Sequence, residues 1–154
     1  MKPTALINLI ALAGFSASAS YIVVSRFYTY FPPIPSSVAI TLGALACLLL
    51  GLGLISRRRI GQNQIGFDRS QLDPTRAASF LVLAQSCAWA GALFFGVYAG
   101  FAAYILPRWD LLVAASYDGP RVIACVVTSC GVMLAALWLE RGLQAPPPAE
   151  GEPA

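Results

Sequence analysis

The sequence predicts an all-α polytopic membrane protein built as a bundle of four transmembrane helices. Three observations carry this reading. Of 154 residues, 58% are hydrophobic and 11% charged, whereas a soluble domain carries about 25% charged residues. The mean hydropathy is +0.70. The charged residues also leave four long intervals: 23 residues between Lys2 and Arg26, 30 between Arg26 and Arg57, 31 between Arg76 and Arg108, and 18 between Arg121 and Glu140. A spanning helix needs about 20 mostly apolar residues, so each interval holds one. The runs are apolar on every face, as in Leu48-Leu49-Leu50 and Leu93-Phe94-Phe95. Barrel strands alternate instead, and in lipid such a run satisfies its own backbone only as a helix.

The first helix is expected over Ala5–Val24. Lys2, the apolar run and Ala17-Ser18-Ala19 resemble a secretory signal with a small-residue cleavage site. The run continues through Tyr21-Ile22-Val23-Val24 and exceeds the 7 to 15 residues typical of a signal core, which favours a retained anchor. Phe31-Pro-Pro-Ile-Pro35 then forms a stiff connection, with Phe27, Tyr28, Tyr30 and Phe31 as an interfacial aromatic belt. The second helix is expected over Ser37–Ser56 and ends at the triplet Arg57, Arg58, Arg59. Asp73-Pro74 reads as an N-cap followed by a first-turn proline. It opens a third helix expected over Ala78–Tyr104, long enough to protrude or tilt, with Pro107 beyond its end. The fourth is expected over Val122–Leu139. Residues 1–144 thus make the transmembrane domain. The Pro- and Glu-rich stretch 145–154 has almost nothing to bury and is expected to be disordered.

Orientation follows from the basic residues. Lys2, Arg57, Arg58, Arg59, Arg69, Arg76 and Arg141 fall on one side, and Arg26, Arg108 and Arg121 on the other. Basic residues stay cytoplasmic, so both termini are expected inside.

The composition also narrows the chemistry. There is no histidine, which removes Ser-His-Asp and Cys-His catalysis and His-ligated metals. The one lysine is Lys2. Cys47, Cys87, Cys125 and Cys130 lie in apolar runs with no CxxC pair, and read as packing thiols. Asp68, Asp73 and Glu140 are too scattered to form an acid–base pair. No catalytic group, cofactor or metal site is therefore expected. The Arg57–Arg59 triplet reads as a topology or anionic-lipid anchor rather than a nucleic-acid contact. Glu140-Arg141 reads as a membrane-boundary pair under Trp138, and Asp110 and Asp118 as solvated loop residues.

Two features within the spans stand out. Ala84, Ala88, Ala92, Gly96 and Gly100 form a ladder of small residues four apart, which lets another helix approach closely. Gly43, Cys47 and Gly51 offer a matching set on helix two, so packing of helix two on helix three is the first expectation, and an oligomer interface the second. No ionisable residue lies in an apolar core. Asn8, Gln85 and Ser86 are the strongest polar groups left; they suit interhelical hydrogen bonds or a polar cavity. Thr41, Thr128 and Ser129 can bond their own helix carbonyls.

Several segments recur together in order: Met1-Lys-Pro-Thr4, Arg57-Arg-Arg59, Leu72-Asp-Pro-Thr-Arg-Ala-Ala78, Leu83-Ala84 with Ser86, Gly91-Ala92, Tyr98-Ala-Gly100 and Trp138-Leu-Glu-Arg141. In these the chain resembles an actinobacterial family of four-helix membrane proteins known only as domain of unknown function 3180. The resemblance implies a bacterial plasma-membrane protein and no particular activity. The functional expectation is a non-enzymatic accessory or scaffolding subunit in the lipid bilayer, packing on a membrane-protein partner through its small-residue faces. The alternative is a small homo-oligomeric transporter or channel lined by Asn8, Gln85 and Ser86.

Overall fold

Four helices long and apolar enough to cross a membrane make up the computed structural model of the chain. It describes residues 5–27, 30, 34–61, 74–109 and 113–143, with the side chains of 56–61, 74–78, 113–116 and 143 left aside. The helices are α1, Leu6–Phe27; α2, Ser36–Gly61; α3, Pro74–Ile105; and α4, Val113–Leu143. Among the described residues there is no strand.

Each end has a local cause. Pro74 occupies the first position of α3, where its missing N–H would have no intrahelical partner. Leu106–Arg108 tightens into a 3₁₀ turn around Pro107 that closes α3, with the Trp109 N–H donating to the Leu106 carbonyl at 3.4 Å. α3 holds 32 residues, about 48 Å at 1.5 Å per residue, and outruns a hydrocarbon core of about 30 Å.

All four helices are longer than the sequence suggests, α2 and α4 the most. α2 runs on through Arg57, Arg58 and Arg59 to Gly61, because its backbone bonds continue into water once the apolar run ends. α4 begins at Val113 and takes Asp118, Pro120 and Arg121 into its first turns, well before the expected Val122. Pro120 forfeits one backbone bond there, and tertiary contacts described below offset it.

The helices do not pack in chain order. α3 and α4 form the central pair, α1 lies on α3, and α2 lies on α4. The expected pairing of α2 with the α3 ladder is therefore corrected. A Cβ at Gly43 would lie 3.6 Å from Thr128 Cγ2 of α4, Cys47 is exposed, and no outside atom lies within 4 Å of a Cβ at Gly51. Small residues mark a face that can be approached; they carry no address for the helix that approaches it.

The core has two centres. One gathers Leu9, Leu42, Leu49, Val132, Ala136 and Leu139 around Ala84, Ala88 and Ala92. The other gathers Ile34, Ile105, Val122 and Cys125 nearer the α3–α4 turn. The outward faces carry large apolar side chains such as Ile7, Phe15, Ile40, Val127 and Leu134. That pattern suits a chain whose solvent is lipid.

Candidate functional site

The ladder on α3 is consumed inside the chain. Ala84, Ala88, Ala92, Gly96 and Gly100 are all buried. A Cβ at Gly96 would collide with Ser16 Oγ and the Ala13 carbonyl of α1. At Gly100 it would lie 2.5 Å from the Ala17 carbonyl oxygen and 2.9 Å from Tyr21 N. On the neighbouring side of α3, Gly91 would bring a Cβ within 2.8 Å of Met133 N of α4. The α1 side of this seam is also small, with Ala13, Ser16, Ala17 and Ser20 recurring at helical spacing. Ser20 Oγ crosses the seam to donate to the Val97 carbonyl at 2.9 Å, while Ser16 Oγ bonds back to Leu12 at 2.9 Å. Sequence reasoning weighed Ala17-Ser18-Ala19 as a cleavage site, favoured a retained anchor, and missed the packing role of Ala17. The signal was the four-residue spacing it shares with Gly96 and Gly100.

The intramembrane polar residues do not converge. Asn8 is exposed on α1. Ser86 is exposed and donates to the Val82 carbonyl of its own helix at 2.9 Å. Gln85 turns inward, and its Nε2 donates to Glu140 Oε1 across the α3–α4 interface at 3.4 Å. Thr41, Thr128 and Ser129 bond carbonyls of their own helices at 2.9, 2.8 and 2.7 Å.

Glu140 does more than mark the membrane boundary beside Arg141. It is 2% exposed and faces Gln85, while Arg141 is exposed. Consecutive helical residues point in different directions, so one turns to α3 and the other away. Sequence reasoning missed this carboxylate because it sits beyond the last uncharged run. Its burial comes from the turn of α3 around Gln85, inside the third span, lying against the end of α4.

Asp118 is no solvated loop residue: it is 7% exposed. Its Oδ1 accepts from the Ile34 N–H at 3.4 Å and lies 4.0 Å from Arg121 Nη1. Arg121 Nη1 in turn donates to the Ile34 carbonyl at 3.4 Å. One turn of α4 thus holds both backbone groups of Ile34, just ahead of α2. Nearby, Trp109 lies against Gly119, Arg108 stacks 4.2 Å from the Tyr104 ring centroid, and Tyr104 meets Tyr21 edge-on at 6.3 Å. Of the expected aromatic belt, Phe27 and Tyr30 are exposed; Tyr28 and Phe31 lie outside the described residues. So do Asp68, Asp73, Asp110 and the 145–154 tail.

The four cysteines are free thiols. Among the described residues no group of three or more potential metal ligands comes together. A cleft of about 680 Å³ opens between the start of α1 and the second half of α2, with α4 as its floor.

A helical bundle with apolar outer faces, a small-residue seam and polar ties between its helices is a multi-pass membrane protein. Within that class, the chain belongs to the family described as protein of unknown function (DUF3180), whose model matches residues 9–147. Neither a curated protein nor a solved structure matches it.

Proposed function

We propose that the chain is a non-catalytic accessory or scaffolding subunit of the bacterial plasma membrane, with both termini cytoplasmic. One observation supports this most. Inward-facing polar side chains of the spans tie the chain to itself, as in Gln85–Glu140 and Ser20–Val97, while small residues remain on outward faces. Cys47 is exposed on α2, and Gly14 and Gly51 have no outside atom within 4 Å of a Cβ position. The partner surface in this reading is the outer side of α1 or α2, since the α3 ladder is already filled. The separation of Asn8, Gln85 and Ser86 counts against a polar path lined by all three.

The test is a C-terminal tag, extraction of native membranes in mild detergent, and measurement of what co-purifies, with its stoichiometry and mass. A foreign membrane protein in stoichiometric amount, lost on Gly51→Leu or Gly14→Leu, supports the reading. A homo-oligomer with no foreign protein overturns it in favour of the self-assembled transporter or channel. Flux in liposomes tests that second reading.

A further inference from the structure

The cleft between α1 and α2 has a shape and a charge that select an occupant. α1 rests on α3 and α2 on α4, so the two outer helices leave a gap over α4. Leu6 of α1, Leu50 of α2 and Leu134, Ala135, Trp138 and Arg141 of α4 line it. The floor runs along α4 from Gly131 to Arg141. At 1.5 Å per residue that is about 15 Å, half of a hydrocarbon core about 30 Å thick and therefore one leaflet deep. Among the described residues the lining is apolar along this length and ends in the guanidinium of Arg141, in the last turn of α4. Glu140 turns to Gln85 on the opposite side and takes its negative charge away from the mouth.

We propose that this cleft binds one anionic phospholipid of the adjoining leaflet, with an acyl chain in the slot and its phosphate on Arg141. The groove, about 680 Å³ in volume, has room for an acyl chain. The planar guanidinium matches phosphate oxygens in a two-pronged geometry. The lateral opening gives a lipid access without leaving the bilayer. This site is independent of the accessory-subunit reading, since it uses neither Cys47 nor Gly51.

The experiment places the full chain in nanodiscs of phosphatidylglycerol and phosphatidylcholine in equal parts. Native mass spectrometry of the released protein then counts bound lipid. The wild type is expected to retain one phosphatidylglycerol in preference to phosphatidylcholine. Arg141→Gln is expected to lower the phosphatidylglycerol-bound fraction about fivefold, the factor expected of one basic residue at an anionic surface. Leu134→Trp is expected to abolish retention of both lipids at an unchanged melting temperature, because Leu134 is already exposed. Equal retention of the two lipids by the wild type, or no change in Arg141→Gln, overturns the proposal. So does a dimer that Leu134→Trp dissociates, which would assign the cleft to a second copy of the chain.

Discussion

A methyl group at Gly100 would press on the Ala17 carbonyl oxygen and on Tyr21 N, backbone atoms that cannot rotate away. Its neighbour in the motif, Gly96, meets the Ala13 carbonyl and the Ser16 hydroxyl. In lipid there is little hydrophobic drive between helices, so close backbone approach and the Ser20–Val97 bond hold this seam. Gly100→Ala is therefore expected to destabilise the protein by about 1–3 kcal/mol, the usual cost of overpacking. Gly14→Ala, with open space at its Cβ position, is expected to stay within about 0.5 kcal/mol of wild type. Reversible unfolding in mixed micelles compares the two. Equal losses would mean that glycine matters here for helix propensity and not for contact with α1.

At the scale of elements, the polar ties fix which helix ends meet. Gln85–Glu140 joins α3 to α4 near one membrane face, and Asp118 and Arg121 join α4 to the lead-in of α2 near the other. Gln85→Leu takes a donor from a buried carboxylate and is expected to cost about 1–3 kcal/mol. The double variant Gln85→Leu with Glu140→Leu is expected to cost less than the sum of the single ones, because the contact between them is lost once and not twice. A double-mutant cycle on unfolding free energies measures this; strict additivity would deny the coupling. α1 is bound to the bundle by the same logic. Cleavage after Ala19 would strip Ala13, Ser16 and Ala17 from the α3 seam and leave Gly96 facing lipid. N-terminal sequencing of the mature protein is expected to begin ahead of Leu6. A start at Ser20 would mean that the seam is built only in the precursor.

At the scale of the whole molecule, four spans return the chain to the side on which it began. In the proposed orientation, that side, which carries most of the basic residues, is the cytoplasmic one. In a variant with its native cysteines replaced, Tyr30→Cys is expected to react with an impermeant maleimide on intact cells. Ser70→Cys is expected to react only after permeabilisation. The reverse pattern would invert the bundle and place Arg141 in the outer leaflet. The four spans, the first-turn Pro74 and the stop at Pro107 were legible in the chain because hydropathy and backbone chemistry are local. The small-residue ladder was legible too, as a face, from its spacing alone. The partner of that face was not. A helix apolar on all sides gives no direction signal, since lipid tails and leucine side chains are equally apolar. Whether α1 or α2 filled the ladder depended on how four all-apolar cylinders share the close contacts among them. The burial of Glu140 and Asp118, and the open cleft over α4, followed from that arrangement. They come from side chains far apart in sequence meeting in space, which only the packed bundle brings about.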